Sequence, residues 1–265
     1  MTEWWWAYLA LGAFVGFFSG LLGIGGGSAT VPVLAFIFAA KGFAPDHVVH
    51  LALGTGIAAM LFSSFASVRS HHRRSSVNWS VVRAMAAGLV TGTFGGAMLA
   101  GRLDVRLLSI AFTALIFYFS FQMFRTRNAV PTGVLPRARG LSAFGAFIGF
   151  VSSLTATGGA SLVVPFLVKR HVPIHEAIGT AAAIGWPIAA AGAAGYIIAG
   201  LDMPGLPQYS LGYVYFPALV GVVVASVLMA PLGAAVAHRT PGTTLKKIFA
   251  IVLFALATTM LVKFL

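Results

Sequence analysis

Three long stretches of this chain, residues 4–40, 107–124 and 140–168, contain no Asp, Glu, Lys or Arg. Uncharged runs of this length belong in hydrocarbon, where about 20 apolar residues cross the core as a helix. Hydrocarbon offers no hydrogen-bonding partner, so each segment must satisfy its own backbone amides and carbonyls. None of the runs shows the polar alternation of a barrel strand, and the chain is therefore expected to be an all-α polytopic membrane protein. Composition agrees, with 59% hydrophobic residues, 8% charged and a mean hydropathy of +0.94.

The formal net charge of +12 is gathered into short clusters between apolar runs. Arg69, His71, His72, Arg73 and Arg74 form one, Arg125, Arg127, Arg137 and Arg139 a second, and His238, Arg239, Lys246 and Lys247 a third. A nucleic-acid binder would array its cations along one soluble face. These clusters read instead as topology signals that hold their loops in the cytoplasm, and no nucleic-acid partner is expected. The chain has no Cys, which excludes disulfides and thiolate metal sites, and no cofactor or metal is implied. Trp4, Trp5 and Trp6 stand where a signal peptide would carry basic residues, and read as an interfacial aromatic belt.

Comparing the chain with itself reveals a repeat. Gly16, Phe17, Ser19, Leu21, Gly25, Gly26, Ser28, Val31, Pro32 and Leu34 all recur 133 positions later, without a gap. Further on, the His50–Thr55 hexapeptide HLALGT parallels HEAIGT ending at Thr180, and Val77-Asn78-Trp79 aligns with Val214-Tyr215-Phe216. The expected organisation is a first transmembrane repeat at 1–128, a basic cytoplasmic linker at 129–139 and a second repeat at 140–265.

The basic clusters then fix the expected direction of each crossing. Runs 47–68 and 107–124 end inside and 79–101 ends outside; in the second half 177–200 and 248–262 end outside and 212–237 ends inside. The copies run in opposite senses, so each half is expected to be a Gly-broken helical hairpin plus three spans, in inverted topology. Both termini then lie on the non-cytoplasmic side of an inner membrane. Inverted repeats recur in secondary transporters, which rock two halves about a site at the midplane.

The hairpins carry the candidate site. Glycine permits positive φ and close backbone approach, so GIGGGS, containing Gly25, Gly26, Gly27 and Ser28, is expected to interrupt a helix. ATGGAS, containing Gly158, Gly159, Ala160 and Ser161, is expected to do the same. Each serine would cap the helix that follows, and the exposed N–H groups of two half-helices would together bind an anion. Pro32 and Pro165 follow those serines by four residues and leave a serine carbonyl without its usual donor. For a single Gly-x-x-x-Gly pair, helix packing is the simpler explanation. Two breaks at matching positions point further.

The remaining polar residues narrow the chemistry. Glu3, Asp46, Asp104, Glu176 and Asp202 all fall near expected span ends, leaving no intramembrane carboxylate relay and favouring an anionic substrate. Thr55 and Thr180 lie deeper and are secondary anion donors, unless their hydroxyls bond their own helices. Trp186 is expected to line the path, or else to fill the bundle core or face lipid, beside Pro187. His50 and His175, equivalent in the repeat, are candidates for proton coupling or for plain interfacial solvation.

The paired Gly-rich motifs followed by Pro32 and Pro165, the basic loop before Val77-Asn78-Trp79, and the ending PLGAAVAHRTPGTTLKKIFAIVL together resemble the sulfite exporter TauE/SafE family. That resemblance implies a permease for sulfur-containing oxyanions or organosulfonates such as sulfite and sulfoacetate. It maps family motifs onto Gly23, Gly25, Gly26, Gly27 and Pro32, and onto Gly158, Gly159 and Pro165. The second copy departs from the Gly-rich pattern with Ala156, Thr157 and Ala160 in place of Gly23, Ile24 and Gly27. The expected function is a non-enzymatic secondary transporter for such an anion in a lipid bilayer, coupled to protons or sodium. An anion channel, or a permease for another small organic anion, shares the same site chemistry. An intramembrane enzyme would need a nucleophile paired with a base, and no such spacing is present.

Overall fold

The computed structural model describes residues 4–22, 27–125, 133–237 and 242–264. Among them the first half forms α1 (Trp5–Leu22), α2 (Gly27–Ala40), α3 (Pro45–Arg73), α4 (Trp79–Ala100) and α5 (Val105–Arg125). The second half forms α6 (Ala138–Thr155), α7 (Ala160–Val168), α8 (Ile174–Gly200), α9 (Phe216–Ala237) and α10 (Gly242–Phe264). Two short antiparallel strands, β1 (Ser210–Leu211) and β2 (Val214–Tyr215), lie in the connection before α9. Four helices, α3, α4, α5 and α8, include stretches long and apolar enough to cross a membrane, and α1, α2, α9 and α10 include shorter apolar stretches.

Local chemistry sets the helix ends. Pro45 opens α3, where its missing N–H costs nothing because that amide would have no helical partner. Asn78 caps α4 by accepting a hydrogen bond from Val81 N at 3.2 Å. The basic stretch expected as a linker at 129–139 yields its last two residues, Ala138 and Arg139, to α6; residues 129–132 lie outside the described residues. Pro187 sits inside a continuous α8.

Packing follows the repeat, with partners exchanged between halves. α1 packs along α9 and α6 packs along α4, while α3 lies on α8 and α5 on α10. The two glycine seams are the same contact made twice. Gly12 and Gly16 bring α1 against the carbonyls of Val222 and Ser226, and Gly145 and Gly149 bring α6 against those of Met85 and Leu89. A Cβ at any of the four would overlap the facing backbone, so the seams hold helices at the close spacing that small residues permit in lipid. α3 and α8 form the enclosed centre. Large apolar side chains such as Tyr118, Phe121, Phe147, Leu228 and Ile251 remain exposed on the outside, as a bundle solvated by hydrocarbon requires.

Candidate functional site

The second hairpin breaks where the glycine pattern places it. α6 ends at Thr155, Ala156 turns left-handed at φ 51°, and Gly159 at φ 72° is the N-cap of α7. Glycine bears no steric penalty at that angle. The cap was expected to be Ser161; instead Ser161 is the second residue of α7, because the positive-φ residue that starts the helix is Gly159 and no side chain caps it. The helix's first bonds run from Leu162 N and Val163 N to the Gly159 carbonyl at 3.0 and 2.9 Å. The amides of Ala160 and Ser161 therefore precede the helical ladder. In the first hairpin α1 ends at Leu22 and α2 starts at Gly27, with Ser28 second and buried. Gly25 and Gly26 lie outside the described residues.

The start of α2 meets the α6–α7 break. Gly27 sits against the carbonyl of Ala156, so closely that a Cβ there would overlap it. Ala160, the residue equivalent to Gly27, instead lines a cavity, where its methyl group meets space. The difference between Gly27 and Ala160 thus has a steric cause. Pro32 and Pro165 are each the sixth residue of their helix, which leaves the Ser28 and Ser161 carbonyls without the usual amide donor.

That cavity has a volume of about 20 Å³, room for about one water molecule. Gly158 and Ala160 of the break form one wall, and Ala181, Ala182 and Gly185 of α8 another. The rest comes from Met60, Ser63, Ser64 and Ser67 of α3, with Ser19 of α1. No carboxylate and no cation is among these lining residues. Ser63 and Ser64 donate to the carbonyls of Met60 and Leu61 at 3.2 Å, long bonds that a ligand can replace by rotation about χ1. Ser152 is buried near Gly159, and its Oγ has no partner among the described residues. Hydroxyl and amide donors without acidic acceptors suit an anion or a water, and small side chains keep the walls close.

Thr55 and Thr180 are fully buried, and both hydroxyls hold backbone amides across the halves. Thr55 Oγ1 accepts from Tyr215 N at 3.0 Å, and Thr180 Oγ1 accepts from Asn78 N at 2.9 Å. Tyr215 and Asn78 are repeat equivalents, so this contact is also duplicated with partners exchanged. Asn78 adds a bond from Nδ2 to Glu176 Oε1 at 2.6 Å. Trp186 is exposed on the bundle surface, one residue from Gly185 but not lining the cavity.

The two histidines differ. His50 is buried, donates from Nε2 to the Leu103 carbonyl at 3.0 Å and stacks on Tyr213 at 4.9 Å between ring centroids. His175 is exposed. His50 lies thirteen residues before Ser63 on α3, about 20 Å at 1.5 Å per residue, so it does not join the cavity. Among the described residues no group of three or more His, Cys, Asp or Glu is placed to hold a metal. Sequence reasoning passed over Ser63, Ser64 and Ser67; the available signal was Ser63 and Ser67 four apart on one face of an apolar helix.

The profile of the family described as sulfite exporter TauE/SafE matches residues 8–260, both hairpins included. The chain belongs to the TauE/SafE family. A probable membrane transporter protein of Haemophilus influenzae is 34% identical over 257 residues, covering 96% of this chain and 97% of that relative. A probable membrane transporter protein of Methanocaldococcus jannaschii is 25% identical over 228 residues, covering 84% and 80% respectively. Another from Bacillus subtilis is 24% identical over 240 residues, covering 88% and 90%. No solved structure matches significantly. As a TauE/SafE member with several apolar helices, the chain is a multi-pass membrane transporter.

Proposed function

We propose that the chain is a secondary transporter that carries a small sulfur-containing oxyanion, sulfite or an organosulfonate such as sulfoacetate, through the cavity at the α6–α7 break. One observation carries this reading: the start of α2 adjoins the α6–α7 break, and beside that break serine hydroxyls line a space with no carboxylate among its lining residues. A space of about 20 Å³ is too small for such an anion, so the carrier must open to load, which favours alternating access over a standing channel. The exchanged packing of the halves supports a two-fold relation between them. An odd number of crossings in each half then makes the repeats inverted, with both termini on the non-cytoplasmic face of the inner membrane. Proton or sodium coupling belongs to the same reading. His50 is the better-placed proton carrier, being buried with Nδ1 unpartnered, and His175 is its exposed counterpart.

The test is uptake into proteoliposomes of sulfite, sulfoacetate, sulfate, taurine and small carboxylates, with and without a pH gradient. A sulfur oxyanion should show saturable uptake with counterflow. Ser63→Ala and Ser64→Ala should each lower it by about tenfold, the loss of one hydrogen bond to a charged group. Wild-type kinetics in both variants would remove this cavity from the transport path.

A further inference from the structure

At the opposite end of α3 from the basic residues 69–74 lies a second, larger cleft of about 340 Å³. Its chemistry centres on Lys41, in the turn between α2 and α3. Lys41 Nζ donates to Tyr8 Oη at 3.2 Å and to Tyr215 Oη at 3.0 Å. It also stands 4.9, 5.2 and 5.5 Å from the ring centroids of Tyr215, Phe43 and Tyr8. An ammonium carries three N–H donors. Two are used, and among the described residues no carboxylate lies within ion-pair distance of the third.

A half-buried cation with no carboxylate beside it among the described residues is a costly thing to keep, because rings and phenols only partly replace its hydration. Here it is also positioned. Tyr8 and Tyr215 are almost wholly buried, and the Tyr215 amide is tied to Thr55 of the central helix. Across the cleft stand Trp4, Gln208 and Tyr209. Tyr209 takes a left-handed backbone at φ 68°, a conformation that costs a tyrosine of order 1 kcal/mol and that clusters at ligand sites.

We propose that this cleft binds a small organic anion, with one carboxylate or sulfonate head on Lys41 and an aromatic or short apolar body between Trp4 and Tyr209. The head completes the third N–H of the ammonium, with the Gln208 amide available as a further donor. The body fits the walls, since a volume of about 340 Å³ lies within the range of small-molecule pockets and far exceeds the needs of an inorganic ion. The site is separate from the cavity at the α6–α7 break, and binding here requires no transport.

The experiment is calorimetric titration of the full chain, in nanodiscs of zwitterionic phosphatidylcholine, with benzenesulfonate, benzoate and inorganic sulfate. The first two should bind one per chain, and sulfate at least about tenfold more weakly, for want of a body to fill the cleft. Lys41→Met keeps the stem against the rings and should weaken benzenesulfonate by about tenfold to hundredfold. Tyr209→Gly suits the positive φ, leaves the fold unstrained and should weaken it by about five- to tenfold. The proposal is overturned if the wild type shows no saturable binding at concentrations on the order of 1 mM, if sulfate binds as well as benzenesulfonate, or if both variants bind like the wild type. Because the readout is equilibrium binding, its failure leaves the transport reading standing, and unaltered transport in the serine variants leaves this site standing.

Discussion

Gly27→Ala separates the two effects a methyl group has at the junction of the hairpins. Alanine favours a helix over glycine by up to about 1 kcal/mol, and less here because Gly27 is the first residue of α2. Against that gain, the new Cβ would overlap the Ala156 carbonyl oxygen and lie 3.1 Å from its carbon and 3.4 Å from its Cβ. These atoms belong to a residue with no exposed surface, most of them backbone, so no side-chain rotation relieves the overlap. Overpacking of this kind costs about 1–3 kcal/mol, and the expected net change is a loss of about 1–2 kcal/mol. The hairpins must part, so anion uptake should fall with stability. Ala160→Gly, at the equivalent position facing the cavity, should cost no more than about 1 kcal/mol. The assay is equilibrium unfolding in detergent alongside uptake by the same preparations. A Gly27→Ala chain as stable as wild type, with unchanged uptake, would show that the two breaks do not bear on each other.

Thr180→Val and Thr55→Val keep side-chain shape but leave the half-buried amide of Asn78 and the buried amide of Tyr215 unpaired, and each should lose about 1–3 kcal/mol in the same unfolding assay. Thr→Ser at either site should retain most of that stability, and valine variants as stable as wild type would refute the role given to the hydroxyls. Asn78→Ala removes both the cap on Val81 and the bond to Glu176, and should cost more than the roughly 1 kcal/mol of a cap alone. Glu176→Gln retains an acceptor for Asn78 Nδ2 and should be milder; equal losses in the two would argue against that bond.

The second break was legible because backbone conformation is written locally: a glycine permits positive φ wherever it falls, and Gly159 uses it; residues 23–26 of the first lie outside the described residues. The duplicated seams were legible in part, since the glycine spacing marks a close helix contact without saying which helix is met. Gly12 meets Val222 and Gly145 meets Met85, partners that only the exchange of halves specifies. The cavity serines were missed for the same reason. Ser63, Ser64 and Ser67 look like the small polar residues of many apolar helices, and become site residues only when the hairpin of the other half is laid beside them. Thr55 and Thr180 were found by their place in the repeat, but their use was not, because the amides they hold lie 160 and 102 residues away. Lys41 was not legible as a site residue: an isolated lysine in a turn gains meaning from the rings of Tyr8 and Tyr215, 33 and 174 residues away.

The crosswise glycine seams bear on what each half could do alone. Each half supplies one wall of the other's seam, so a chain of half this length could complete its own only by associating with a second copy of itself. In one polypeptide the halves need not be identical, and the unequal residues at Gly27 and Ala160, or at His50 and His175, are differences that two copies of a single half could not carry.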